Sequence, residues 1–376
     1  MAGLYLHIPF CRQKCPYCDF YSEAAVETTL RGYPELLKRH LAWAVQHGWH
    51  GPIETVYFGG GTPSLLHPQE VADILCAVAQ NLDLAKNAEI TLEANPGTVS
   101  LKRLSGYRSA GVNRLSLGLQ TCRDHQLALL GRLHNRQDGI EACNQARQSG
   151  FDNLSLDLMF ALPGQTLAEL EDDLGCYLEL APEHLSCYGL TAEPKTPFQQ
   201  RVASGELALP DGDFYAEAFM LIHEQLATAG YEHYEIANYA RDGYLCRHNL
   251  GYWQRRPCLG IGAGAHSFCA SQWGSRREVP ADLSAYRQAL QDGRDPMRSL
   301  ESFDSQSALR ETIYLALRTR RGISDTELQQ RFGCTLQEAF PEAIAANRQW
   351  LVNDRGRWSF TPAGWLLFDR LILPFL

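Results

Sequence analysis

The first 240 or so residues alternate short apolar stretches with longer amphipathic ones. The short stretches are rich in β-branched, aromatic or leucine residues and predict strands at 4–8, 55–58, 89–94, 114–120, 153–160 and 184–190. Between them, apolar residues at helical spacing predict helices, at 33–46, 68–82 and 167–180. Because six strand–helix units follow one another, we expect an α/β fold whose parallel sheet is either open or curled into a barrel.

Polar or glycine residues stand near the C-terminal ends of these predicted strands. They are the glycines 59–61, Glu93, Gln120, Asp157 and Thr191. In parallel βα folds this edge of the sheet is the functional face. A charged or amide group at the end of a buried strand costs free energy unless something binds it. One such residue could simply cap the next helix, but several at equivalent positions predict a shared ligand.

The pattern changes after residue 240. An aromatic and glycine-rich stretch at 248–268 is followed by helical periodicity at 307–318, 325–332 and 342–352, and by a predicted hairpin or wing at 357–364 before a final helix. We therefore predict three parts, namely a core over 1–240, a connecting segment over 241–300 and a small helical, winged-helix-like domain over 301–376.

Composition and charge narrow the class of protein. The chain has 376 residues, 45% of them hydrophobic, and a formal charge of −9 without a basic stretch, which argues against nucleic acid as the main partner. The start of the chain does not resemble a secretory signal, and no uncharged apolar run approaches the roughly 18 residues of a membrane span. The apolar C-terminal stretch is interrupted by Asp369, Arg370 and Pro374, which favours core packing. Twelve cysteines without a secretory signal predict thiols in a reducing cytoplasm.

Three cysteines form a C-x3-C-x2-C run after the first predicted strand, at Cys11, Cys15 and Cys18. A structural zinc site would need a fourth ligand, such as His7 or a distant cysteine, and the spacing is not that of a zinc finger. A redox pair of Cys15 and Cys18 would leave Cys11 unexplained. An iron–sulfur cluster held by three thiolates would keep one iron open for a small molecule.

A glycine run, GGGTP at 59–63, follows the second predicted strand. It lacks the Gly-Lys-Ser/Thr of a phosphate-binding loop, but bare glycine backbone lets a ligand approach closely. Together with the cysteine run it resembles the radical S-adenosylmethionine (SAM) superfamily. That resemblance implies a partial (βα)6 barrel and a [4Fe–4S] cluster on Cys11, Cys15 and Cys18, with SAM on the fourth iron. Electron transfer to the sulfonium can then break a C–S bond and give a 5′-deoxyadenosyl radical.

Further motifs resemble one branch of that superfamily, the HemN/HemW group. They are LYLHIPFC, FGGGTPS, EANPGT, GVNRLSLGLQ, LGRLH, LDLMFALPGQT and LTAEPKTPF. The resemblance implies two sets of SAM contacts. The first set is Tyr5, Gly60, Gly61, Thr62 and Glu93, and the set for a second SAM molecule is Tyr17, Gln120, Arg132, Asp157 and Thr191.

This sequence departs from the dehydrogenases of this group in two features. The dehydrogenases continue the cysteine run as C-x3-C-x2-C-x-C, whereas Phe20 stands at the last position here, and they carry an extension before the first strand, which here starts at residue 4. Residues 246–253, CRHNLGYW, contain the pattern H-N-x-x-Y-W. The resemblance implies that this pattern takes part in heme binding. An imidazole is a common axial ligand of heme iron, so His248 is the candidate ligand.

The alternative for His248 is a hydrogen-bonded structural histidine. Tyr252 and Trp253 could pack on the porphyrin face, and Cys246 and His266 are lesser candidate ligands.

The resemblance thus implies a heme chaperone that binds heme, a [4Fe–4S] cluster and SAM. It would deliver heme to heme proteins such as respiratory membrane enzymes, and it would form a homodimer. The alternative is an oxygen-independent coproporphyrinogen III dehydrogenase, which decarboxylates two propionates by a radical reaction to give protoporphyrinogen IX. Whether the chain is an enzyme stays open at this point.

Overall fold

A computed structural model describes residues 2–25 and 27–376. The strands of that part are, in chain order, β1 (Ala2–Ile8), β2 (Phe10–Cys11), β3 (Glu23–Ala24), β4 (Pro52–Gly60), β5 (Asp83–Ala94), β6 (Arg114–Gln120), β7 (Leu154–Phe160), β8 (His184–Gly189), β9 (Glu232–Glu235), β10 (Asn238–Ala240), β11 (Cys258–Ile261), β12 (His266–Cys269), β13 (Ser275–Glu278), β14 (Arg298–Ser302), β15 (Ile323–Ser324), β16 (Leu351–Asp354) and β17 (Arg357–Phe360).

The helices of the same part are α1 (Glu27–Arg31), α2 (Tyr33–Gln46), α3 (Pro68–Asn81), α4 (Leu101–Ala110), α5 (Asp124–Leu129), α6 (Arg136–Gln148), α7 (Leu167–Glu179), α8 (Pro197–Ala203), α9 (Gly212–Thr228), α10 (Arg247–Trp253), α11 (Leu283–Gln291), α12 (Ser305–Ala316), α13 (Asp325–Phe332), α14 (Leu336–Ala339), α15 (Pro341–Asn347), α16 (Pro362–Leu366) and α17 (Phe368–Leu371).

The six predicted strands are confirmed as β1, β4, β5, β6, β7 and β8, which lie side by side in that order and are parallel. The three predicted helices are α2, α3 and α7, each ending within one residue of its predicted end. Helix α3 shows why the spacing of apolar residues alone predicted these helices. Its stripe of Val71, Ile74, Leu75 and Val78 is buried against the sheet, and burying each such side chain contributes roughly 1.5–3 kcal/mol.

The sheet is wider than the sequence pattern indicates. On the far side of β1 lies β11, parallel to it, with Gly3 opposite Cys258, and β12, β13 and β14 continue antiparallel. Beyond β8 lie β10 and β9, also antiparallel. The full order is β14-β13-β12-β11-β1-β4-β5-β6-β7-β8-β10-β9. The α/β class is therefore confirmed, with an open twelve-stranded sheet whose six central parallel strands form the predicted partial barrel.

The C-terminal region is a small helical unit with a three-stranded sheet, ordered β15-β17-β16. The structure has a hairpin of β16 and β17, which turns at Arg355 and Gly356, both with positive φ. The hairpin predicted at 357–364 contains only its second strand, β17, because residues 362–364 already belong to α16. The helix predicted over 342–352 is too long, because α15 ends at Asn347 and β16 begins at Leu351. The predicted final helix is interrupted and consists of α16, α17 and a 3-10 turn.

Five apolar side chains of that terminal stretch are buried, as core packing requires, namely Trp365, Phe368, Leu371, Ile372 and Phe375, whereas Leu373 and Leu376 are exposed. In the described part of the chain, no helix has both the length and the apolar character that a membrane crossing requires.

Candidate cofactor site

A cavity of about 500 Å³ opens at the C-terminal edge of the parallel strands. Most of the residues singled out from the sequence line it. They are Cys11, Cys15, Tyr17, Cys18, Gly60, Gly61, Thr62, Glu93, Gln120, Arg132, Asp157 and Thr191. Tyr5 and His248 lie elsewhere. Residues far apart in the chain meet here because parallel strands present their C-terminal ends at one edge.

The cysteine run forms a loop at the mouth of this cavity. Cys11 ends β2, which pairs with β3 and so closes the loop, and the Cys18 backbone N–H donates to the carbonyl of Cys15 at 3.2 Å. All three thiols are partly exposed. Thr62 Oγ1 donates to Cys11 Sγ at 3.5 Å, and Arg132 Nη1 lies 3.7 Å from Cys15 Sγ. Hydroxyl and guanidinium donors of this kind stabilise thiolates and suit metal ligation.

The three cysteines do not converge on one point. Within residues 2–25 and 27–376, no three His, Cys, Asp or Glu side chains come together as the ligands of a single ion. A cubane cluster takes each thiolate at a different iron, so its ligands stand apart. Burial raises the pKa of the Cys18 thiol. The donor set, three thiols with a cationic neighbour, is chemically suited to a cluster.

The glycine loop packs directly on the chain that leads into the cysteines. Gly61 N donates to Ile8 O at 2.9 Å and Thr62 N to Phe10 O at 2.8 Å. A Cβ at Gly61 would lie 2.7 Å from Phe10 O, too close for any side chain. Gly60 has a φ of 111°, a backbone conformation that favours glycine. The glycines are therefore required by the close approach of two backbone segments at the cavity wall.

Two partly buried carboxyl groups face the cavity. Glu93 accepts from Tyr57 Oη at 2.7 Å and from Gly60 N at 3.3 Å, and burial raises its pKa to about 7. Asp157 accepts from Ser116 Oγ at 3.3 Å, and burial raises its pKa to about 6. A cation in the cavity would favour the ionised form of both groups. The site is therefore electrostatically suited to a positively charged ligand.

The opposite wall is held by Arg132 and Gln120. Arg132 Nη2 donates to Gly118 O at 2.7 Å and to the Asn95 side-chain oxygen. Gln120 has a left-handed backbone, with φ 74°, and its side-chain oxygen accepts from Tyr188 Oη at 2.9 Å. A non-glycine residue in this region is uncommon and is found most often at functional sites.

Asn95, Tyr188 and Arg114 are among the residues of this cavity that sequence reasoning missed. Asn95 lies in the EANP motif with Glu93, and Tyr188 is on a predicted strand, so their positions in the sequence could have identified both as site residues. The position of Arg114 gave no such indication, since it lies at the start of β6 and not at its C-terminal end. Its side chain is 2% exposed and its Nε has no hydrogen-bond partner among the described residues.

Tyr5 lies behind the cavity wall rather than on it. Its hydroxyl is 3.0 Å from His7 Nδ1, and its ring stacks on that of Tyr57 at 6.2 Å between centroids. A Cβ at Gly59 would lie 2.9 Å from the Tyr5 ring. Tyr5 therefore supports the glycine loop from beneath.

His248 is buried on α10, 3% exposed, and both of its ring nitrogens are occupied. Nδ1 is 2.8 Å from Thr55 Oγ1 and Nε2 is 2.9 Å from Tyr252 Oη. Burial lowers its pKa to about 3, so the imidazole is neutral. The cavity beside it is about 20 Å³, space for one water and not for a porphyrin. Cys246 is also buried, whereas His266 is exposed.

The rest of the HNLGYW segment faces two other spaces. Asn249 lines the large cavity. Tyr252 is 38% exposed, and Trp253 lines a groove of about 590 Å³ together with Arg256, Arg331 and Phe332. The short helix α10 thus connects the cavity to a groove that includes residues of the C-terminal domain.

Phe20 lies on the wall of the large cavity and is 64% exposed. A large aromatic side chain in water is unfavourable. Its position beside the cysteine loop therefore marks a surface on which an apolar ligand or partner could pack.

The sequence was compared with protein-family models and with known proteins. The model of the radical SAM superfamily matches residues 5–175 and that of the HemN C-terminal domain matches 303–367. The heme chaperone HemW of Bacillus subtilis is 32% identical over 379 residues, covering 100% of this chain and 99% of that protein. HemW of the Synechocystis strain is 39% identical over 335 residues, covering 87% and 80%.

Among solved structures, the coproporphyrinogen III oxidase HemN of Escherichia coli, a radical SAM enzyme, superposes with a TM-score of 0.86. The match covers 100% of this chain and 89% of HemN, at 21% identity. At that identity the likeness establishes the fold and no more.

Proposed function

The chain belongs to the HemN/HemW group of the radical SAM superfamily, and from that membership we propose that it is a heme chaperone of the HemW type. In this proposal it holds a [4Fe–4S] cluster and SAM, binds heme and passes it to heme-requiring proteins such as respiratory membrane enzymes. One observation carries the cofactor part of the proposal. The three cysteines, the glycine loop and the two partly buried carboxyl groups share a single cavity.

The cavity residues fit these cofactors. Cys11, Cys15 and Cys18 would hold the cluster, which when bound supplies an electron to the SAM sulfonium. SAM carries an ammonium and a sulfonium, and Glu93 and Asp157 offer the complementary charge. The backbone of the glycine loop offers polar groups that a side chain would otherwise block.

Three features support heme as the cargo. The full-length relatives are named heme chaperones, Phe20 replaces the fourth cysteine of the dehydrogenase pattern, and the HNLGYW segment borders a groove. In that groove the rings of Trp253 and Phe332 suit a flat macrocycle, and Arg256 and Arg331 suit its carboxylates.

Heme coordination by His248 requires one hydrogen bond to open. The Tyr252 hydroxyl occupies Nε2, and Arg256 lines both the groove and the small space beside His248. For His248 to bind heme iron, the Tyr252 side chain would have to leave Nε2, and Thr55 would then continue to orient the ring through Nδ1.

A specific observation favours the alternative function, that of a coproporphyrinogen III dehydrogenase. Gln120, Arg132, Asp157 and Thr191, the residues expected to surround a second SAM, line the same cavity. Two SAM molecules would serve two decarboxylations better than they would serve delivery of heme.

One anaerobic sample separates the two functions. The chain is reconstituted with iron and sulfide, titrated with heme, and then incubated with SAM, a reductant and coproporphyrinogen III. The chaperone proposal expects stoichiometric heme binding and no protoporphyrinogen IX. Repeated turnover to protoporphyrinogen IX would establish the dehydrogenase instead.

A further inference from the structure

Two cysteines outside the cofactor site lie in direct contact. Cys122 follows β6 by two residues and Cys176 lies on α7, and their Sγ atoms are 2.6 Å apart. The two side chains are therefore close enough to form a disulfide bond. They are 54 positions apart in the chain, which makes the contact a product of the fold and not of local sequence.

The backbone on both sides of the pair is fixed by one buried carboxylate. Asp173 accepts from Thr121 Oγ1 at 2.6 Å and from Cys122 N at 3.1 Å. Asp173 precedes Cys176 by three residues, one turn of α7, so both side chains are on the same helix face. The two thiols are therefore held opposite each other before any reaction.

The surroundings of the pair favour a reactive thiolate. Arg136 Nη2 is 3.8 Å from Cys176 Sγ, and hydrogen bonding from the Cys122 thiol together with this guanidinium lowers the pKa of Cys176. Both cysteines are buried, but they line a cavity of about 420 Å³, so a small reagent has room to reach them. The other residues that line this cavity are Arg123, Arg136, Glu171, Asp172, Asp173, Gly175 and Glu179. A thiolate with a cationic neighbour and an access path is the form that attacks disulfides.

We propose that Cys122 and Cys176 are a modification site that reacts with low-molecular-weight disulfides and closes to an intramolecular disulfide. Cys176 attacks one sulfur of the small disulfide, whose S–S bond breaks and releases one thiolate with the bonding electron pair. Cys122 then gives up its proton and attacks the Cys176 sulfur, releasing the second small thiol. Two protein thiols are oxidised and one small disulfide is reduced to two thiols.

The closed form ties the end of β6 to α7. Gln120, on the wall of the cofactor cavity, is two residues from Cys122. The modification therefore fixes the segment that carries Gln120. This inference is independent of the proposed function, and neither depends on the other's test.

The test is peptide mapping of the reconstituted full chain after treatment with oxidised glutathione at pH 8 and trapping of free thiols with N-ethylmaleimide. We expect a disulfide-linked peptide pair containing Cys122 and Cys176, while Cys143, which is buried and does not line their cavity, is recovered as the free thiol. Exposed Cys76 reports that the reagent was active. Recovery of both Cys122 and Cys176 as free thiols, in a sample in which Cys76 has reacted, would overturn the inference.

Two variants assign the order of the steps. Cys122→Ser should stop at a mixed disulfide with glutathione on Cys176, whereas Cys176→Ser should leave Cys122 unmodified. Arg136→Gln should slow the exchange in the otherwise unaltered chain without changing its product. If Cys122 instead reacts in Cys176→Ser as fast as in the unaltered chain, the proposed attacking thiol is wrong.

Discussion

The hydroxyl of Thr55 on β4 lies 2.8 Å from Nδ1 of His248 on α10, across 193 positions of sequence. Together with Tyr252 on the other ring nitrogen, it makes His248 a buried and fully hydrogen-bonded side chain. The histidine that sequence reasoning assigned to heme is thus a structural link between the sheet and the HNLGYW helix. The proposed heme ligation and this hydrogen bonding predict opposite effects of two substitutions.

His248→Ala should weaken heme binding at least tenfold, because it removes the proposed iron ligand, and leave the iron–sulfur absorbance unchanged. Tyr252→Phe should strengthen heme binding by roughly two- to tenfold, because a competing hydrogen bond of about 0.5–1.5 kcal/mol is lost. Heme titrations followed by Soret absorbance measure both, with Tyr244→Phe as the matched control. Unchanged affinity in His248→Ala would place the ligand elsewhere.

The partly buried carboxyl of Glu93 predicts a pH-dependent stability for the ligand-free chain. Its pKa is raised from 4.5 to about 7 in the folded state, so the folded chain binds more protons than the unfolded chain between those values. The free energy of unfolding should therefore fall as the pH rises from about 4.5 to 7, by at most roughly 3 kcal/mol from this group. Denaturant unfolding of Glu93→Gln should show a flatter pH profile and greater stability at pH 8; an identical profile would contradict the assigned pKa.

Binding of SAM should respond to pH in the opposite direction. A cationic ligand favours the ionised carboxylates, so its affinity should increase as the pH rises through about 6 and 7, where Asp157 and Glu93 lose their protons. Calorimetric titration with SAM between pH 5.5 and 8 measures the slope. The slope should shrink in Asp157→Asn and in Glu93→Gln, and an affinity that falls with rising pH would argue against carboxylate recognition.

Gly61→Ala should disrupt the wall that joins the glycine loop to the cysteine loop. The added Cβ would lie 2.7 Å from Phe10 O and 2.9 Å from Ile8 O, and neither backbone carbonyl can move freely. We expect a loss of roughly 1–3 kcal/mol in unfolding free energy together with weaker cluster retention. Gly97→Ala is the matched control, because a Cβ there meets nothing within 4 Å. Equal unfolding free energies for the two variants would contradict the claim that the backbone approach at Gly61 excludes a Cβ.

The sequence alone predicted the helices and strands whose apolar residues recur at regular spacing. Strand β6 and helix α3 followed from their apolar spacing, and the cavity followed from the polar residues at strand ends. Strand β11 was missed because four residues, CLGI, carry too little pattern, and its partner β1 is about 250 residues away.

Three other features depend on contacts that no local pattern reports. The C-terminal end of α15 is set by Asn347, whose buried side chain donates to Ala343 O and to Leu371 O in a distant helix. The burial of His248 depends on Thr55, and the position of Tyr5 behind the glycine loop depends on the pairing of β1 beside β4. In each case the partner is far away in the sequence and near only in the folded chain.

The most direct test of the account is anaerobic reconstitution with iron and sulfide, followed by metal and sulfide analysis and absorbance spectroscopy. The account predicts about four irons and four sulfides per chain, lost in Cys11→Ala, Cys15→Ala and Cys18→Ala and retained in Cys76→Ala. A chain that carries zinc without inorganic sulfide, or that keeps its full cluster absorbance in those three variants, would contradict it.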